Sequence, residues 1–187
     1  MNKIRKFARD EGGTAVIETV VIFPMLVWAV VAMAVFFDAY RIRSVNLKAA
    51  YTISDMLSRE NPIVDSNYIN GLKTMYDFLV ASKSPTWIRV TMVQFETNDP
   101  NDPNDDQYIF KWSKASGGSV PDLNQTTLSE VEPDIPIMGD GDSVIIVETH
   151  MRYQPAFDVG LKPYDLDNVI VTRPRFAPPC WETCING

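Results

Sequence analysis

Four groups of residues have types and spacings that could do chemistry. The first is Glu18, a lone carboxylate in "GGTAVIETVVIFPMLVWAVVAMAVFF", five residues after Gly13. A charge inside an apolar helix is costly and usually has a partner. A short leader carrying Lys3, Arg5, Lys6 and Arg9 precedes it. Cleavage after Gly13 would make Thr14 the first residue and create an α-amino cation. Glu18 could then pair with that amine, its own or a neighbouring subunit's. The plainer reading of the same carboxylate is a boundary residue at a membrane edge.

The second group is Cys180 and Cys184 in "PCWETC". A local disulfide in an oxidising compartment is one reading. Two free thiols on a tail is another. A zinc site would need more ligands than two cysteines and His150 supply, unless carboxylates or a second chain helped. The third group is the acidic "ETNDPNDPNDDQ", with Glu96, Asp99, Asp102, Asp105 and Asp106. Hard oxygen ligands so close together suit Ca²⁺, yet the spacing fits no EF-hand loop, and an exposed acidic loop between strands is the simpler account. The fourth is His150, the single histidine, inside a predicted strand. No G-x-S-x-G elbow, P-loop or H-E-x-x-H accompanies it. A two-carboxylate hydrolase stays open only because acids are plentiful. The reading is therefore not an enzyme, with no cofactor and no metal.

The element that positions Glu18 is an apolar run. From Thr19 to Phe37 no charged residue occurs. At about 1.5 Å per residue that run covers roughly 28 Å, close to the hydrocarbon thickness of a bilayer. It reads as membrane-inserted, N-terminus inside, with the rest translocated. Three fates compete for it: an uncleaved anchor, Sec cleavage after Ala34 in "AMA", or cleavage after Gly13 that leaves the helix on the mature chain. The run exceeds the length of a signal-peptide core, which disfavours the second. Pro24 would kink an isolated helix, and in a membrane neighbours can satisfy the freed carbonyl.

The basic leader, Gly13, Glu18 at the fifth position after it and Pro24 together resemble the processing site of type IV prepilins and pseudopilins. More narrowly, "GTAVIETVVIFP" is similar to the start of TadE-like proteins of the tight-adherence (Flp) pilus system. The motif covers about 25 residues of the 187, and it is specific only with the leader and the apolar run. Major Flp pilins are shorter and usually carry Tyr after the Glu, where this chain has Thr19. The resemblance therefore implies a minor pilin or assembly component, cut after Gly13 by a prepilin peptidase. It also implies anchoring in a bacterial inner membrane, contact with other minor pilins, and a periplasmic head.

The remaining sequence predicts that head. The chain has 187 residues, 45% hydrophobic and 22% charged, enough for one domain with a core. A net charge of −7 disfavours nucleic acid as a partner. No Gly or Pro occurs from Met25 to Asn61, and Ile42, Val45, Ala49, Ile53 and Met56 recur at helical spacing. The first helix is thus expected to run from Thr14 to about Glu60, roughly 70 Å, ended by Asn61-Pro62. A second helix should start at Asp65 or Ser66 and bury Tyr68, Leu72, Met75 and Leu79. Strand patterns follow at Thr86–Phe95, Tyr108–Trp112, Ser143–Tyr153 and Asn168–Arg173, the first two as a hairpin. The stretch from Lys114 to Asp142 reads as a long irregular loop available to a partner. The expected fold class is α+β: a pilin-like long N-terminal transmembrane helix, a second helix, then a roughly four-stranded antiparallel sheet. The expected divisions are residues 1–13 as leader, 14–60 as long helix with 14–37 in the membrane, and 61–187 as head.

Overall fold

The computed structural model describes residues 12–60, 63–97, 106–118 and 120–182. Helix α1 spans Gly12–Arg59 and runs without interruption through Pro24. Strand β1 (Ile63–Val64) and helix α2 (Ser66–Val80) follow. Strands β2 (Thr86–Thr97), β3 (Asp106–Ser116), β4 (Ser143–Tyr153) and β5 (Tyr164–Thr172) come next, and β6 (Cys180–Trp181) closes the order. The architecture is α+β, as expected. The chain divides into two compact units. One holds α1 up to Tyr40 together with Pro155–Lys162. The other begins at Arg41 and contains the remaining elements.

In the second unit the four long strands form one sheet in the order β3-β2-β4-β5, every pairing antiparallel. The β2–β3 hairpin is present, with a register shift opposite Met92 and Val93, where Lys111 of β3 is the extra residue. One face of the sheet buries Ile88, Val90, Met92, Ile145, Val147 and Met151. Helix α2 packs on this side. Its Asn70 Oδ1 accepts a hydrogen bond from Ser116 Oγ at 2.6 Å, and its Asp77 accepts one from Thr86. Residues 41–59 of α1 reach the same layer. Tyr76 of α2 donates its hydroxyl to Asn46 Oδ1 at 2.5 Å, and Asn46 Nδ2 donates to the Leu166 carbonyl at 3.4 Å.

The helical faces are turned relative to the expected ones. On α1 the buried line is Asn46, Ala49, Ala50, Ile53 and Leu57, and Met56 is exposed. On α2 it is Ile69, Leu72, Tyr76 and Val80, so Tyr68, Met75 and Leu79 sit at the flanks. Where apolar residues occupy adjacent positions, spacing alone fits either stripe, and packing against the sheet selects one. Asp65 caps α2: its Oδ1 accepts the Tyr68 backbone N–H at 2.7 Å. Ala81, at φ +46°, ends the helix in the left-handed conformation.

The opposite face of the sheet corrects the reading of residues 114–142. Lys114–Ser116 belong to β3. The segment beyond them lies across β2 and β4, and Leu123, Leu128, Val131, Ile135 and Met138 pack on Val93, Phe95, Val144 and Ile146. This stretch is a lid on a second core, stabilised by burial of its apolar residues. Both β3 and β5 extend beyond the apolar patterns that announced them, because a paired neighbour satisfies backbone groups of polar residues equally well.

A parallel two-stranded pair joins the two ends of the head: Ile63 faces Cys180 and Val64 faces Trp181. The Arg175 N–H donates to the Ser58 carbonyl at 2.7 Å, and its guanidinium reaches Asp55 at 2.8 Å. Trp112 donates its indole N–H to the Pro179 carbonyl at 2.9 Å and lies 5.5 Å from the Trp181 ring.

Candidate functional site

Among the described residues, α1 is the one helix long and apolar enough to cross a membrane, judged by length and composition. Its first half has no apolar stripe of the kind a soluble core needs. Val16, Ile17, Val20, Phe23, Leu26, Trp28, Val30 and Phe37 all stand exposed, on every side of the helix. A helix that is hydrophobic all round belongs in an apolar surrounding. Water is a poor one, since each large side chain left in it forgoes about 1.5–3 kcal/mol of burial.

Glu18 stands at the start of this surface and is itself exposed. With Thr19, Ile22, Phe23 and Leu26 it lines a shallow open groove along one side of the helix. A single carboxylate at the head of an apolar groove can hold a cation delivered by another chain and fix the register of two helices. Gly13 and Thr14 lie in the first helical turn. The leader, residues 1–11, lies outside the described residues. Pro24 is exposed within the same apolar half.

Cys180 is in β6, beside Trp181. Cys184 lies outside the described residues, and so do Asp99, Asp102 and Asp105 of the acidic loop. Glu96 stands near the end of β2. Among the described residues no group of three or more His, Cys, Asp or Glu is placed to hold a metal.

His150 lies on β4, between Trp87 of β2 and Asp167 of β5. Its ring stacks on Trp87 with centroids 5.3 Å apart and planes 4° from parallel. Its Nδ1 is 2.6 Å from Asp167 Oδ1. The ring is thus wedged between an indole and a carboxylate.

Two residues escaped the reading of the sequence. Arg89 and Glu148 are cross-strand neighbours on β2 and β4 and form a buried, two-pronged ion pair at 2.7 and 2.7 Å. A third guanidinium nitrogen donates to the Pro121 carbonyl of the lid at 3.2 Å. The available signal was one charge of each sign in the middle of two otherwise apolar strands, "WIRVTMV" and "IIVETHM". Burial also acts on two tyrosines. It pushes the Tyr76 hydroxyl up to about 12, with the carboxylates of Asp77 and Asp167 adding to the rise against a lowering hydrogen bond from Thr149. Tyr68 is raised by burial and by its hydrogen bond with Glu60.

Comparison with known proteins places nothing beside this chain: no family model, no curated protein and no solved structure matches it.

Proposed function

We propose that this protein is a membrane-anchored structural or assembly component, a minor pilin or pseudopilin, of a tight-adherence type pilus. The observation that carries the reading is the division of α1. One continuous helix is apolar and exposed on all sides from Val16 to Val30, covered only at Ala32, Val35 and Ala39 further on, and carries one acid, Glu18, ahead of the charge-free run. Beyond Tyr40 it is amphipathic and packed against its own sheet. A subunit held in a membrane by one half of a helix and folded around the other half has the construction a pilin needs.

In this reading a prepilin peptidase of the bacterial inner membrane cuts after Gly13. The helix from Thr14 to Phe37 then stays in that membrane, N-terminus towards the cytoplasm, until assembly. Glu18 pairs with an N-terminal amine of its own or a neighbouring chain, and the periplasmic head meets other minor pilins and assembly proteins. Cys180 and Cys184 form a disulfide in that oxidising compartment, which accords with the lack of any free cysteine among the described residues. Sec cleavage after Ala34 would sever α1 between Ala32 and Val35, both buried, which counts against a secreted domain and leaves the cut after Gly13 and an uncleaved anchor.

The test is the N-terminus of the protein from its native cells, by intact mass and terminal sequencing. A start at Thr14 supports processing and assembly. A start at Met1 leaves an anchored periplasmic binding protein, and a start at Val35 a secreted domain. Replacing Glu18→Ala is expected to leave head unfolding unchanged and to impair assembly; normal piliation in that variant would end the pairing role.

A further inference from the structure

Within the unit that contains the apolar half of α1, the loop between β4 and β5 comes back to the helix. Its residues Pro155–Lys162 belong to that unit. Ala156 and Phe157 of the loop, with Val31, Ala34, Val35 and Asp38 of α1, line a cavity of about 190 Å³. The lining is apolar except for Asp38, which marks the end of the charge-free run.

The position of this cavity along the helix is informative. Val31 lies six residues before Phe37, the last residue of the charge-free run, which at 1.5 Å per residue is about 9 Å inside it. Phe157, 62% exposed, therefore sits beside residues that the membrane reading places in hydrocarbon rather than in water. Phe36 and Phe37 stand exposed at the same end of the run, and Tyr40, exposed just beyond it, is of the type enriched at the boundary between hydrocarbon and headgroups. Asp158 and Lys162 supply charge on the loop close to Phe157 in sequence, so the loop is amphipathic: an apolar tip with charged neighbours.

We infer that the β4–β5 loop dips into the outer leaflet and that the cavity between Phe157 and α1 holds a lipid acyl chain. This rests on α1 spanning the membrane. An acyl chain matches the site chemically. The walls offer dispersion contacts and almost no hydrogen-bonding groups, so a polar ligand would lose its hydration there without replacement. The loop then anchors the chain at a second point, next to the helix but separate from it in sequence.

The experiment uses the full chain in vesicles of phosphatidylethanolamine and phosphatidylglycerol, with p-benzoyl-phenylalanine placed singly at Phe157, Val27 or Phe78. Phe157 and Phe78 are both exposed, so the replacements leave the packing intact. After irradiation, intact mass reports a shift of one lipid for each covalent adduct. The shift is expected at positions 157 and 27 and not at 78. Adducts at 27 without any at 157, or crosslinks from 157 to α1 alone, overturn the loop's insertion while leaving the membrane helix standing. No lipid adduct at either 27 or 157 removes the membrane reading, and the inference with it.

Discussion

Residues 16–37 and 41–59 belong to the same helix, yet they meet their surroundings in opposite ways. The second stretch hides a narrow line, Asn46, Ala49, Ala50, Ile53 and Leu57, and turns charged residues such as Arg41, Arg43 and Lys48 outward. The first stretch leaves most of its large apolar side chains uncovered. Helix propensity does not distinguish them. The difference is where apolar surface is covered: the second stretch buries its line inside the chain, and the first leaves most of its large side chains without cover there.

The strongest way to break this contrast is to damage the head alone. Replacing Arg89→Met leaves Glu148 buried without its partner, which is expected to cost about 3–5 kcal/mol in urea unfolding of the head. Adding Glu148→Leu should recover most of it, since a buried pair replaced by apolar residues is often neutral. A loss that persisted in the double variant would mean that the pair itself carries the stability.

A matched pair of substitutions sharpens the comparison. Ile53→Ala is expected to cost about 2–4 kcal/mol, because Ile53 is fully buried and its removal leaves a cavity. Ile22→Ala, on the exposed half, should shift head unfolding by under about 0.5 kcal/mol. Equal losses at both positions would refute the division of labour within α1.

The smallest effect is a pH dependence confined to the head. The Tyr76 hydroxyl is held neutral up to about 12, against an ordinary value of 10.0, chiefly by burial. The unfolded chain therefore releases this proton first. Stability from Tyr76 is complete below pH 10 and declines as the pH rises from 10 towards 12. Tyr68, raised in the same direction, adds to the slope. Denaturant midpoints between pH 9 and pH 12 should fall less steeply in Tyr76→Phe; an unchanged slope would place the alkaline sensitivity elsewhere.

Much of this fold was legible in the chain. The absence of Gly and Pro from Met25 to Asn61 announced α1, and Ser143–Tyr153 was bounded correctly by its apolar pattern. The helical faces were not, since Met56 and Leu57 are both apolar neighbours and only the sheet decides between them. The lid was missed for a different reason. Leu123, Leu128, Val131, Ile135 and Met138 are spaced without a period, so they gave no sign of a common face. At the candidate site, Glu18 and the apolar run were readable from composition. The cavity beneath Phe157 was not, because it depends on a loop more than a hundred residues away in sequence.

The β1–β6 pair sets an order of events during biosynthesis. Ile63 waits for Cys180, and Ser58 and Asp55 wait for Arg175. A chain emerging from its N-terminus can form α1, α2 and the β2–β3 hairpin from local contacts. It cannot form the β1–β6 pair or the Arg175 contacts until residues 175–181 have been made. The fastening of the head therefore comes after its other elements: a chain stalled before residue 175 keeps the long apolar helix but lacks the pairing that ties β1 to β6.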